Sequence, residues 1–299
     1  MQISRTKLGI SLLITFLVLA AILFLFTRSD KQKSEGLHIA ASFYPLGEFA
    51  RQIAGSNVRV DIITPAGIEP HDYEPTAKDI ASIRSSSLFI YNGNGVDGWA
   101  DKIANDLTSL GVHVVNIKDS LRITSPDPHY WLDPVLAQTM VKNIKTALIE
   151  EDPTHKALYE KNAAAYIQEL NKLHKDVEKG LKTCAQRQIV VSHAAFGYFA
   201  KQYGLTEMYI AGISPEEEPS PKRLAEIADY AKTHHAQYIF FESLVSPKLS
   251  ETIATEIGAK TMVLNPVEGL SEEEIQEGYT YISIMRKNLS NLREALSCQ

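Results

Sequence analysis

The chain has 299 residues, of which 44% are apolar, and a formal net charge of −6. That is enough length and apolar content for two ordinary domains with full cores, which excludes a disordered chain. Without a basic excess, nucleic acid is not an expected partner.

The chain opens with Arg5 and Lys7, followed by an apolar run from Leu8 to Phe26 and a polar linker to residue 36. A run of this length can span a bilayer as a helix. No small-residue cleavage site follows it, and no cysteine that could carry a lipid. The expectation is an uncleaved membrane anchor holding the body at the outer face of the cell membrane. A cleaved signal, leaving a secreted or periplasmic body, is the alternative; both export the protein.

Strands and helices then alternate. Strands are expected at 38–42, 58–64, 87–91 and 112–117, with helices at 46–53, 76–84 and 99–107. A long helical region runs from near Pro134 to about Lys182, broken at Asp152-Pro153. Pro153 is expected to open a new helix, because proline is tolerated in a first turn. At 1.5 Å per residue that helix is about 42 Å long, enough to run between two domains as a spine. Alternation resumes with strands at 188–192, 207–210, 238–242 and 260–264, and helices at 195–203, 221–233 and 246–257. A last helix is expected from Ser271, with Glu274 as its capping-box partner. Parallel sheets with helices on both faces follow. The fold class is α/β, with two lobes, each a parallel sheet flanked by helices, joined by one long rigid helix. The expected divisions are 1–36 (anchor and linker), 37–150 (first lobe), 151–183 (linking helix) and 184–299 (second lobe).

Cys184 precedes the first strand of the second lobe and Cys298 ends its last helix. In an exported body the pair is expected to form a disulfide.

Three of the nine histidines stand past strand ends: His71 in Glu69-Pro70-His71-Asp72, His129 in Asp127-Pro128-His129-Tyr130, and His193 in Val191-Ser192-His193. Ligands of open α/β sheets bind at the carboxyl ends of strands. The segment Leu264-Asn265-Pro266-Val267-Glu268-Gly269 holds the same kind of place and adds a carboxylate. Three imidazoles and one carboxylate suit tetrahedral Zn²⁺, whereas Mn²⁺ favours more oxygen ligands. Isolated loop histidines are common without a metal, so the pattern leaves incidental histidines open. Glu242, at a strand end, reads equally as a ligand or a structural group.

From Ala41 onward the chain resembles the metal-binding solute receptors of ABC importers, in the branch that serves zinc and manganese. The resemblance rests on Ser42-Phe43-Tyr44-Pro45, Pro70-His71-Asp72-Tyr73-Glu74-Pro75, His129-Tyr130-Trp131-Leu132-Asp133-Pro134, Ser192-His193-Ala194-Ala195-Phe196-Gly197-Tyr198 and the segment 264–270, in that order. It implies two α/β lobes, a long connecting helix and a metal between the lobes, with His71, His129 and His193 as ligands. His193, in place of the glutamate of manganese members, favours zinc. It further implies a permease and its ATPase as partners; a monomer is expected. Two features depart from the family: residues 118–126 hold no histidine-rich loop, and Asn265 stands where many members have a ligating aspartate. Glu268 is expected to take that fourth place, with Gly269 giving the loop freedom to turn, and with Asn265, Glu69 or water as alternatives.

No enzyme is expected. The rival readings are a zinc hydrolase, for which Glu69 is the nearby base candidate, and a surface adhesin with incidental histidines.

Overall fold

Alternate residues of each strand face opposite sides, and here the two sides meet two different cores. In this computed structural model, which describes residues 36–56 and 58–299, β1 (His38–Ala41) turns Ile39 and Ala41 into the central core and Ala40 into an outer one. Likewise β3 (Leu88–Tyr91) turns Leu88 and Ile90 inward and Phe89 and Tyr91 outward. With β2 (Arg59–Ile62) and β4 (His113–Asn116) they form one parallel sheet in the order β2-β1-β3-β4. Such sheets need cover on both faces. On the inner face, α1 (Tyr44–Ala54) comes close because Gly47 has no side chain; a Cβ there would collide with Ile62. Outside, α2 (Ala77–Ser85) starts in a capping box of Thr76 and Asp79, and α3 (Gly98–Ser109) covers the rest. A short α4 (Ile117–Leu121), capped by Asn116, was not expected.

Next come α5 (Pro134–Glu151), a 3-10 turn at Pro153–His155 and α6 (Lys156–Leu181). Pro153 therefore opens a 3-10 turn, and the α-helix proper begins at Lys156. Asp152 holds the junction, accepting hydrogen bonds from His155 Nδ1 at 2.6 Å and Tyr159 OH at 2.7 Å. Helix α6 buries Tyr159, Ala163, Tyr166, Leu170, Leu173, Val177 and Leu181. Their spacing of three and four residues makes one apolar stripe along about 39 Å of helix. The stripe packs on α1 and α5 at one side and on α11 (Tyr281–Ala295) at the other. One continuous central core therefore runs from the first sheet to the second.

The second lobe contains β5 (Gln188–Val191), α7 (Gly197–Tyr203), β6 (Thr206–Tyr209), α8 (Pro221–Thr233), β7 (Tyr238–Phe241), α9 (Lys248–Ile257) and β8 (Lys260–Val263). Its strands form two parallel pairs, β5–β6 and β7–β8, with β5 beside β7. The same alternation holds: Ile189 and Val191 face the central core, Val190 and Ile239 an outer one. The expected helix from Ser271 is in fact two. The Ser271–Glu274 capping box opens α10 (Glu272–Gln276), Gly278 (φ 71°) ends it, and Thr280 caps α11. Glycine in the left-handed region is the common way to stop a helix. Among the described residues no helix is long and apolar enough to cross a membrane, and the expected anchor at 8–26 lies outside them.

Cys184 and Cys298 are joined in a disulfide across a separation of 114 residues, tying the end of α11 to the entry of β5. Closing a loop this long is worth about 4–5 kcal/mol in the chain-entropy account. Replacing both cysteines with serine is expected to shift the denaturant midpoint down by a corresponding amount. Equal midpoints for the oxidised parent and the double variant would refute the contribution.

Candidate metal centre

Each element leading to the cleft ends in a loop that carries one donor. After β2, Glu69 caps a 3-10 turn at Pro70–Asp72: its Oε1 accepts the His71 backbone N–H at 3.2 Å. That turn presents the His71 ring. His129 stands before a second 3-10 turn, Tyr130–Leu132, and His193 follows β5 by two residues. Glu268 lies in the loop after β8.

These four side chains converge. The Nε2 atoms of His71 and His129 are 3.3 Å apart, and those of His129 and His193 3.2 Å. Glu268 Oε1 lies 3.5, 3.2 and 3.4 Å from the Nε2 atoms of His71, His129 and His193. A tetrahedron around zinc with bonds of ~2.0–2.1 Å has edges of ~3.3–3.4 Å. The five distances are those edges. His129, His193 and Glu268 side chains are fully buried and His71 is 5% exposed.

Two further carboxylates fix the imidazoles. His129 Nδ1 is 2.8 Å from Asp127 Oδ1, and His193 Nδ1 is 2.6 Å from Glu242 Oε1, which also accepts from Ser192 Oγ. With Nδ1–H donating to a carboxylate, the Nε2 lone pair points into the cleft, the arrangement metal-binding histidines adopt. With those tautomers the Nε2 lone pairs of His129 and His193 face the Glu268 carboxylate oxygen. A buried set of this kind is stable only with positive charge among it, supplied by a metal ion or by protons on the imidazoles.

The electrostatics agree. Burial works against protonated His129 and His193. Asp127 and Glu268 outweigh it for His129, and Glu242 and Glu268 for His193, so both imidazoles titrate above their ordinary range. Burial likewise works to raise Glu268, but the charge on His193 and the contacts with His129, His193 and His71 hold it well below the usual carboxylate range. Glu69 is pushed up to about 10 by burial and by the Glu268 charge. It lies with Glu242 behind Glu268 rather than among the histidine nitrogens.

Asn265 is engaged elsewhere. Its Oδ1 accepts from Val267 N at 2.7 Å, and its Nδ2 donates to Ser243 Oγ and Glu274 Oε1, both at 2.9 Å. This scaffolding holds Val267 at φ 58°, a rare conformation for a β-branched residue. Trp131 Nε1 donates to Pro266 O at 2.8 Å across the cleft and fixes the same loop. The bend that aims Glu268 inward therefore belongs to Val267. Gly269 was expected to supply it through backbone freedom; what it supplies is space, since a Cβ there would stand 3.0 Å from Leu244 Cδ1.

Asp127 escaped the sequence reading, although a carboxylate two residues before a candidate ligand was a usable signal. Glu242 was left undecided between ligand and structural roles; its hydrogen bond to His193 makes it the group that orients that imidazole.

Comparison with known proteins identifies the family. Residues 39–295 match the family model for the zinc-uptake complex component A, periplasmic, ZnuA. The chain is 40% identical over 287 residues to the high-affinity zinc uptake system protein ZnuA of Bacillus subtilis, covering 90% of each. It is 38% identical over 292 residues to the zinc-binding lipoprotein AdcA of Streptococcus pneumoniae, covering 91% of this chain and 58% of AdcA. Among solved structures, the Zn(II)-bound ZnuA-like domain of Streptococcus pneumoniae AdcA superposes with a TM-score of 0.79 at 40% identity, covering 87% of this chain and 99% of that one. The laminin-binding protein Lmb of Streptococcus agalactiae, described as having adhesin and metal-transporting activity, gives 0.80 at 35% identity, covering 87% of this chain and 100% of that one. Fold, order of strand-end residues and similarity along almost the whole body agree: the chain belongs to the ZnuA family of periplasmic zinc-uptake components.

Proposed function

We propose that this chain is an extracytoplasmic receptor that binds one Zn²⁺ through His71, His129, His193 and Glu268 and delivers it to the permease of an ABC importer driven by its ATPase. The tetrahedral set of distances among one oxygen and three nitrogens carries the reading. Zinc is the cargo rather than Mn²⁺ because three of the four donors are imidazoles. Four protein donors leave none of the open positions a zinc hydrolase needs, and Glu69, the candidate base, is used as a turn cap. The relatives named above are zinc-uptake and zinc-binding proteins. The receptor acts as a monomer, with lobes of residues 37–150 and 184–299 joined by 151–183. The segment 8–26 holds it at the outer face of the membrane.

Zinc is expected to stabilise the fold by about 4 kcal/mol at a thousandfold excess over Kd, since it binds only the native state. Melting followed with zinc, with a chelator and with manganese in competition, beside elemental analysis, checks this. A melt that zinc and chelator both leave unchanged would sink the receptor reading.

A further inference from the structure

Three of the four proposed ligands are sealed from solvent and the fourth nearly so, so an ion has to reach them through protein. A cavity of about 340 Å³ lies beside the centre. Glu268 contributes to its wall, with Tyr44 and Glu48 of α1, Thr64 beyond β2, and Leu270 and Tyr279 of the second lobe. At about 30 Å³ per water, it has room for an ion with several waters.

Glu48 is the unusual group in this wall. It is 8% exposed and receives one hydrogen bond, from Gln52 Nε2 at 3.0 Å. Arg51, which lines the same cavity, directs its Nη2 to the Val60 carbonyl at 3.0 Å and acts on Glu48 through its charge alone. Tyr44, 7% exposed, lines the same wall with its hydroxyl within reach of the Glu48 charge. Burial pushes the Glu48 carboxyl up. A carboxylate kept this deep with a single hydrogen bond costs stability, which the nearby Arg51 charge offsets only in part.

Resting on the receptor reading above, we infer that this cavity is the ion's passage to Glu268, and that Glu48, beside the Tyr44 hydroxyl, is a transient ligand that takes a partly hydrated divalent cation on its way in and out. A group that lowers a barrier on the path does so in both directions, so it changes rates and leaves the equilibrium alone. The last step is a side-chain motion, because the Glu268 carboxylate itself is fully buried.

The test is stopped-flow zinc association and chelator-driven release on the whole protein, beside an equilibrium titration. In Glu48→Gln both rates are expected to fall about tenfold, the lower end of electrostatic rate effects, with Kd within about twofold. Glu48→Asp should recover most of the loss. Ile275, half exposed and lining the same cavity, offers a surface control: Ile275→Lys should slow association, and salt should remove that effect. Unchanged rates in Glu48→Gln, or an affinity lost through faster release alone, overturns the passage. A parent protein that does not bind zinc overturns the receptor reading instead, so the two failures are distinct.

Discussion

Replacing Glu268 with glutamine is expected to lower zinc affinity by roughly 10²- to 10³-fold. The substitution keeps shape and removes one charge. Breaking a fully buried charge pair by deleting one partner costs about 3–5 kcal/mol, and each 1.4 kcal/mol is a factor of ten in affinity. The zinc-free protein should respond differently. There the charge on His193 and the contacts with His129, His193 and His71 favour the Glu268 carboxylate, and this outweighs the nearby Glu69 and Glu242. Zinc-free melting should therefore fall modestly, and the zinc-induced increase should shrink as well; that second loss separates a ligand from a merely structural group. Asn265→Ala is expected to act mainly on stability. It strips Val267 N and Ser243 of their partner, lowering stability by about 1–3 kcal/mol, with a smaller loss of affinity. Isothermal titration and melting of both variants decide the matter. If Glu268→Gln binds like the parent while Asn265→Ala does not, the fourth ligand has been wrongly assigned.

Acidification is expected to weaken zinc binding steeply between about pH 7.5 and 5. Imidazole must be neutral to ligate, and its ordinary pKa is about 6.5. His129 and His193 titrate above that range, so protons compete already near neutrality. Below its own pKa, each such imidazole removes about one decade of affinity per pH unit. Stability follows with a definite sign. Groups raised in the folded state stabilise the zinc-free protein fully below about pH 6.5, and that stabilisation is lost as pH rises through their folded values. The zinc-induced increase in melting temperature should therefore shrink from both sides on acidification: weaker binding and a firmer zinc-free fold. Depressed Glu268 acts in the opposite sense only towards its unfolded pKa of about 4.3, below this window. Equal zinc affinity at about pH 5 and pH 7.5 would falsify the three-histidine site.

Local chemistry was legible before any coordinates. Strand runs such as Leu88–Tyr91 and Val190–Val191 show it, as do the cap at Ser271 and the break in the long helical region at Asp152-Pro153. These depend on neighbours a few residues away, whose propensities and periodicities are written in order along the chain. The strand-end places of His71, His129 and His193 were legible for the same reason. What only the tertiary structure decided was distance across the chain. The meeting of Glu268 with histidines 75 to 197 residues earlier depends on packing both lobes against α6. The choice of Glu268 over Asn265 came from who else competes for the amide: Val267, Ser243 and Glu274 take it. The roles of Asp127 and Glu242, and the bend at Val267 rather than Gly269, are equally three-dimensional facts. A short polar side chain has many possible partners in a sequence, and folding selects among them.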